Sequence, residues 1–256
     1  MKHLTKYFTA LAILLASVAA WGQGKVYTKR FKLEDFPKKT TRIVTDGQSM
    51  LEIAMQNEAP QDWTLNKYEF CTTAEYETGK TDNKFYYLRL IQDNGIVFML
   101  LEKGGKADDP NSLLRPFEVT RVPIAAADNQ DGHEMAFMGA FMTIIQQYVT
   151  AAMQSETAAM SGLTHFNASK LDGKTICVDP DRVNNIFQAG VPEMLVGITI
   201  VPSEPGKGVD CYRMLISAET HELFYIKKSK FKSEEDAAFS ESELKSFEKK
   251  NGVVAR

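Results

Sequence analysis

The side chains that could act as nucleophiles or proton carriers are few in this chain of 256 residues. A cysteine beside a histidine can form a nucleophile–base pair, which is the chemistry of many hydrolases. Beyond the first 22 residues the chain carries three residues of each type, namely Cys71, Cys177, Cys211, His133, His165 and His221. Such partners meet in space rather than along the sequence, so their spacing identifies no catalytic residue. A hydrolase with a Cys or His site is therefore only an alternative function.

Motifs for phosphate and metal binding are incomplete. Two Gly-Lys-Thr tripeptides begin at Gly79 and Gly173, but a phosphate-binding loop needs another glycine five residues earlier, where Ala74 and Ala168 stand. The acidic run 128–134 lacks the carboxylates with which a calcium loop begins and ends. No His-Glu-x-x-His or Cys-x-x-Cys pair that could bind zinc occurs. The sequence therefore predicts neither a cofactor nor a metal site.

Aromatic residues concentrate in the segments 63–70 and 85–87. Stacked aromatic rings can bind a sugar or a peptide, whereas aromatic side chains on strands more often pack in cores and in cross-strand pairs. Trp63 and Tyr68 are therefore candidate binding residues, with packing in the core as the alternative.

The segment 133–161 is predicted to form one long helix, and it carries no charged residue between positions 135 and 155. Small and amide residues recur along it at steps of three or four and form a narrow polar stripe, which includes Thr143, Gln147 and Thr150. A stripe that faces water ordinarily carries Lys and Glu. We therefore expect this stripe to meet the protein's own sheet, with its amides bonded to strand ends, or else a dimer partner or a ligand. Its three named residues are candidate binding residues.

The same helix is long enough to cross a bilayer, for which about 20 apolar residues suffice. However, it contains Gln146, Gln147 and Gln154, and side-chain amides are costly in hydrocarbon without partners. A helix that is apolar over most of its circumference is typical of a protein core. The sequence therefore predicts a central core helix and no stable membrane span once the leader is removed.

The first 22 residues have the pattern of a secretory signal peptide. Lys2 and Lys6 precede a short apolar stretch, and Ala20-Trp21-Gly22 supplies small residues before a cut that would leave Gln23 as the first residue. No cysteine lies near this cut, so the pattern predicts no lipid attachment. We expect an exported bacterial protein, either periplasmic or secreted.

The amino-acid composition limits which partners and how many disulfides we expect. The net charge is −3, and removal of the leader makes the chain more acidic, so nothing favours nucleic acid or an anionic membrane as a partner. Three cysteines in an oxidising compartment permit one disulfide. Cys177 and Cys211 lie on predicted strands of the second half and are the candidate pair.

Turn and capping residues divide the chain into short strands and helices, which predicts an α+β fold with mainly antiparallel pairing. Ser49 and Glu52 form a capping box, and Asn94-Gly95 suits a two-residue hairpin turn. The main predicted elements are a strand at 41–46, a helix at 46–57, a strand at 63–70, hairpins at 85–103 and 211–227, a strand at 117–122, a strand at 175–178, a helix at 179–190, a strand at 192–200 and a C-terminal helix.

The predicted elements repeat in the order β-α-β-β-β over 41–103 and 173–228. Within the repeat, Tyr87, Leu90 and Ile91 have the spacing of Tyr212, Leu215 and Ile216. We therefore predict an internal duplication, with two units packed around the long helix. The alternative is two ordinary α+β segments that share turn residues by chance.

Together these patterns predict four parts, namely a signal peptide (1–22), a first α+β unit with an N-terminal lead-in (23–130), the central helix (131–162) and a second α+β unit with a C-terminal helix (163–256). The predicted function is non-enzymatic binding of a partner protein or an apolar ligand, with homo-oligomerisation as another form of partnership. The alternatives are the hydrolase and a structural or assembly subunit of an envelope complex.

Overall fold

The computed structural model describes residues 30, 33–105, 116–130 and 132–255 of the chain. The predicted signal peptide and its cleavage site lie outside these residues. Within the described part, ten strands form two five-stranded sheets and seven α-helices pack with them, which confirms the α+β class.

The first sheet is formed by strands β1 to β5 and the second by β6 to β10. The strands are β1 (Thr40–Val44), β2 (Tyr68–Cys71), β3 (Phe85–Asp93), β4 (Ile96–Lys103), β5 (Phe117–Ala126), β6 (Thr175–Cys177), β7 (Met194–Ile200), β8 (Asp210–Ser217), β9 (Leu223–Lys230) and β10 (Val253–Ala255). The helices are α1 (Met50–Asp62), α2 (Thr73–Gly79), α3 (His133–Ala136), α4 (Met138–Gln154), α5 (Glu156–Ser161), α6 (Pro180–Gln188) and α7 (Glu241–Lys249). Short 3-10 helices lie at Phe36–Lys38, Gly162–Phe166 and Glu234–Ala237.

Both sheets show the same succession of strand directions. The order is β2-β1-β3-β4-β5 in one and β10-β6-β7-β8-β9 in the other. In each order the first three strands run parallel to one another, and the fourth strand runs antiparallel to both the third and the fifth. The antiparallel pairs are the longer ones. A β-α-β-β-β unit therefore occurs twice, as β1-α1-β3-β4-β5 and as β6-α6-β7-β8-β9, with β2 and α2 inserted in the first copy.

The residue correspondence predicted between the two units is wrong. It matched Tyr87 on β3 with Tyr212 on β8, whereas the sheet positions match β3 with β7 and β4 with β8. The difference arises because β2 pairs with the far side of β1, so that Ile43 lies between Phe70 and Leu88. Which side of a strand its neighbour takes depends on burial of whole faces rather than on spacing along the chain.

A shared hydrophobic core joins the inner faces of both sheets to α1, α4 and α6. Helix α4 is its central element, because eleven of its 17 residues are buried. Burial of a large apolar side chain stabilises a fold by about 1.5–3 kcal/mol, so this helix contributes a large part of the free energy of folding. Among the described helices, none is both long and apolar enough to cross a membrane.

The predicted long helix is divided into α3, α4 and α5. Phe137 leaves helical geometry between the first two, and Ser155 adopts an extended conformation with φ of −140° and ψ of 124°. The hydroxyl of Ser155 accepts a hydrogen bond from the backbone N–H of Ala158 and so caps the next helix. Apolar periodicity continues through both breaks, so it does not reveal them.

The outer faces of the sheets are partly covered by the short helices α2 and α7, each of which begins with a capping box. On α7 the carboxylate of Glu243 accepts hydrogen bonds from Arg213 Nε at 3.2 Å and from the Tyr225 hydroxyl at 2.9 Å. On the first sheet, the Tyr76 hydroxyl of α2 donates to Glu102, which also accepts from Arg89 Nε at 3.1 Å. A Tyr–Glu–Arg contact thus attaches a helix to each sheet.

Candidate functional site

The two aromatic candidates lie in different environments. Trp63 is only 3% exposed, and its indole N–H donates to Asn66 Oδ1 at 2.8 Å, so it is a core residue. Tyr68 is half-buried on the edge strand β2, where its ring meets that of Phe70 edge-on at 5.7 Å. Trp63 therefore offers no ring face to a ligand, and Tyr68 remains a surface residue on a sheet edge.

The polar stripe of α4 contacts the protein's own second sheet at one of its three candidate residues. Gln147 Oε1 accepts from the backbone N–H of Leu223 at 3.0 Å, and its Nε2 donates to the Leu223 carbonyl at 3.4 Å. Thr150 is half-buried and its hydroxyl donates to the carbonyl of Gln146 within the helix. Thr143 is half-buried too. The stripe thus contains an internal contact between helix and strand edge.

Gln146, which was not among the candidates, attaches the same helix to the first unit. Its Oε1 accepts from the backbone N–H groups of Thr64 and Leu65, both at 2.8 Å, and its Nε2 donates to the carbonyl of Asp62 at 2.6 Å. These groups follow the C-terminus of α1, where backbone groups lack helical partners. Two adjacent glutamines in an otherwise apolar helix were the sequence signal for these contacts. Gln146 contacts the first unit and Gln147 contacts the second sheet.

The predicted disulfide is not formed in this structure. Cys71, Cys177 and Cys211 are free and buried, and β7 lies between the strands that carry Cys177 and Cys211. Burial raises the pKa of Cys71 to about 11 and also raises the pKa of Cys211. A nucleophilic cysteine needs a lowered pKa, so these two thiols have the properties of core residues.

The histidines do not assemble a metal centre with other ligands within the described residues. His221 stacks on the ring of Phe187 at 4.7 Å, and burial lowers its pKa, although the nearby charge of Asp62 acts in the opposite direction. His165 is exposed, and the side chain of His133 is outside the described part.

A cavity of about 370 Å³ lies at the junction of the two units. The end of β5, the helices α3, α4 and α6, strand β7 and the segment 237–239 form its walls. The lining is mostly apolar and includes Phe137, Phe141, Val183, Ile198, Ile200 and Phe239. Glu134 is the one ionisable side chain among the described residues that line it, and its Oε2 accepts from the backbone N–H of Gly132 at 3.0 Å.

The chain places α6 at this cavity because β6 ends just before it. Asp179 caps the helix by accepting from the backbone N–H of Asp181 at 3.1 Å, and Pro180 occupies the first position, where no N–H is needed. Val183 and Asn184 follow at three and four residues from Pro180, which puts all three on one face. All three line the cavity.

The opposite wall depends on a glycine and on a buried arginine. A Cβ at Gly197 of β7 would lie 2.7 Å from Val178 Cγ1 and 2.8 Å from Phe239 Cε2, so glycine allows the Phe239 ring to pack on the strand. Arg213 Nη1 donates to the carbonyls of Asp236 at 2.6 Å and Ala238 at 3.1 Å. The Arg213–Glu243 pair therefore also positions the segment that closes the cavity.

Asn184 is the distinctive polar group of this cavity. Its Oδ1 is the one buried side-chain oxygen or nitrogen in the described residues that has no hydrogen-bond partner. An unpaired buried polar atom costs about 1–3 kcal/mol, so native proteins rarely retain one without a ligand or a bound water to satisfy it. Sequence reasoning missed this residue, although its place on the apolar face of the predicted helix was a signal.

The apolar cavity with one unsatisfied acceptor is thus the candidate ligand site. Comparison of the chain with protein-family models, with curated proteins and with solved structures gives no significant match.

Proposed function

We propose that this protein is an exported, non-enzymatic binding protein whose ligand places an apolar group in the cavity between the two units. The observation that carries this proposal is an apolar cavity whose lining includes Asn184, the residue with an unpaired buried Oδ1. A ligand with an N–H or O–H group at this point would offset the cost of burying that oxygen.

The size and lining of the cavity support the same function. Ligand sites are typically concave, mostly apolar, about 300–1,000 Å³ in volume, and carry a few polar groups that orient the ligand. The cavity has a volume of about 370 Å³ and is lined by aromatic and branched side chains beside Asn184. It would accommodate a small apolar molecule or one or two apolar side chains of a partner.

Export is supported by the leader pattern of residues 1–22. Intact-mass measurement of protein recovered outside the cytoplasm should give a chain that begins at Gln23. A membrane-bound species that retains residues 1–22 would instead mean an uncleaved anchor.

Binding can be measured with N-phenyl-1-naphthylamine, a neutral apolar fluorophore that also carries one N–H group. The native protein should bind it at one site. Val183→Phe and Ala126→Leu, which add volume from opposite walls of the cavity, should each weaken binding at least about tenfold, a loss of about 1.4 kcal/mol. Asn185→Phe adds the same ring on the exposed side of the same helix and should leave binding unchanged.

Melting curves would show that each variant is folded before its binding is compared. The proposal fails if the native protein does not bind the fluorophore, or if both folded cavity variants bind it as the native protein does.

A further inference from the structure

Strand β7 has a free edge beside the cavity. It pairs with β8 as far as Ile200, but its last residue paired with β6 is Val196. From Gly197 to Ile200, therefore, β7 has a described strand on one side only. Residues 197–201 line the cavity.

The hydrogen bonds of β7 show which side of the strand each main-chain group faces. The carbonyl of Glu193 accepts from Thr175 of β6, and that of Met194 accepts from Ala218 after β8. Because alternate residues of a strand point their main-chain groups to the same side, Thr199 directs its N–H and C=O to the side that β6 leaves open. No hydrogen bond within the described residues uses either group.

A side-chain amide already pairs with one main-chain group at this edge. Asn129, in the loop after β5, donates through Nδ2 to the carbonyl of Val201 at 3.1 Å. Val201 lies two residues after Thr199, so its carbonyl points to the same open side of β7. The neighbouring groups of Thr199 are available for a further partner.

Elsewhere the protein uses amide side chains to pair with main-chain groups of strand edges. Gln147 pairs with both main-chain groups of Leu223 on β9. Asn167 does the same with Ile226, accepting from its N–H at 2.8 Å and donating to its carbonyl at 3.1 Å. Asn184 lines the cavity together with residues 197–201 of this edge, and its side-chain oxygen has no donor.

Charge separates the ligand classes that an apolar cavity could take. A fatty acid or another anionic amphiphile needs a cation or several N–H donors for its head group. The described lining offers one ionisable side chain, the acidic Glu134. The site is therefore suited to a ligand that is neutral or positively charged.

We propose that the ligand is an extended peptide segment of a separate partner. Its main chain pairs with Thr199 on the free edge of β7, one of its N–H groups donates to Asn184 Oδ1, and an apolar side chain enters the cavity. Strand addition of this kind draws affinity from main-chain hydrogen bonds and specificity from pockets for alternate side chains. This inference rests on the proposed function, since it assigns a ligand class to the same cavity.

The test uses a capped pentapeptide, N-acetylated and C-amidated, in which threonine alternates with leucine. It should displace N-phenyl-1-naphthylamine from the native protein. The same peptide with alternate amides N-methylated keeps its side chains but loses the donors, so it should compete at least about tenfold less well, as expected for loss of about 1.4 kcal/mol of hydrogen bonding. A second peptide, methylated at the other amides, tests the register in which the other set of N–H groups faces β7.

Two pairs of protein variants test the two contacts. Thr199→Pro removes the N–H of the free edge, where proline is tolerated, and Thr199→Val keeps it. Asn184→Leu removes the acceptor, and Asn185→Leu makes the same change on the exposed side of α6. Thr199→Pro and Asn184→Leu should each weaken the peptide about tenfold, whereas the two control variants should not. Thr199→Pro and Thr199→Val should melt at the same temperature, which separates loss of the edge from loss of the fold.

The outcomes distinguish this inference from the proposed function. If the fluorophore binds in the cavity but the peptide does not displace it, or if both N-methylated peptides compete as well as the parent, the peptide proposal is wrong and apolar-ligand binding stands. If the fluorophore does not bind at the cavity, the proposed function fails first. A native dimer that dissociates in Thr199→Pro would make the occupant a second copy of this chain and overturn the separate partner.

Discussion

Gln147 of the central helix pairs with Leu223 of the edge strand β9 as a neighbouring strand would, since one side-chain amide meets both main-chain groups of that residue, at 3.0 and 3.4 Å. An open sheet edge is prone to pair with other chains, and this contact closes part of it from inside the protein. The same helix uses Gln146 to satisfy the end of α1. The polar stripe therefore joins the two units.

Replacement of Gln147 should lower stability. Gln147→Leu leaves the N–H and C=O of Leu223 without their partner, and each buried unpaired group costs about 1–3 kcal/mol. We expect the free energy of unfolding to fall by about 2 kcal/mol or more, measured by urea denaturation. Gln154→Leu, at the exposed end of the same helix, is the matched control and should change it by less than about 0.5 kcal/mol. Equal effects of the two substitutions would contradict a role for the Leu223 contact.

Glu243 should be essential for the buried arginine beside it. The side chains of Arg213 and Glu243 are only 6% and 7% exposed, and removal of one partner of a buried pair costs about 3–5 kcal/mol. Glu243→Gln should therefore destabilise the protein strongly in thermal or urea unfolding. Glu241→Gln, on the exposed side of α7, should cost less than about 1 kcal/mol. A small effect of Glu243→Gln would mean that Tyr225 and the carbonyls around Arg213 suffice.

The same carboxylate gives an acid dependence of stability. Burial alone would raise the pKa of Glu243, but hydrogen bonds from Ser240 and Tyr225 and the charge of Arg213 hold it below the usual value. Since the folded state binds this proton less well than the unfolded state, the stabilising contribution is present above about pH 4.3, the unfolded pKa. It is lost as the pH falls further through the folded pKa. Urea midpoints of native protein and Glu243→Gln should therefore converge as the pH falls below 4, and curves that stay parallel would contradict this.

His221 should make the protein less stable in mild acid. Burial against Phe187 lowers its pKa, with Asp62 opposing, so the unfolded state takes up the proton first, at about pH 6.5. Stability should fall between that value and the lower folded pKa. His221→Asn removes the titration and suits the positive φ of 60° at this position. Its melting temperature should change less between pH 7 and 5 than that of native protein or of His165→Asn, and identical pH profiles would refute the assignment.

The three thiols should be unreactive in the folded protein, and all three should be free without a reducing agent. The three cysteines are free and buried, and burial raises the pKa of Cys71 and Cys211, so thiolate reactivity is suppressed. Alkylation of unreduced protein followed by intact-mass measurement should add three labels after denaturation and none within minutes before it. A single label after denaturation would show a disulfide that this structure lacks.

Local signals in the sequence were sufficient for most of the secondary structure. The predicted capping box at Ser49 is present. Asn94 and Gly95 take the positive φ values, 49° and 79°, that their hairpin turn requires. These features depend on residues within a few positions of one another, so their free energy is already determined by the local sequence.

Tertiary structure alone decided which strands became neighbours and which polar groups became a site. Tyr87 and Tyr212 precede apolar residues at the same spacing, yet their strands occupy different positions because β2 pairs with the far side of β1. Likewise, Asn184 and Asn185 are the same residue type, and only the packing of α6 against β7 buries the side-chain oxygen of Asn184 and leaves Asn185 exposed. The burial of a side chain depends on contacts with residues from both units that lie far apart in the chain. No short segment of the sequence therefore determines it.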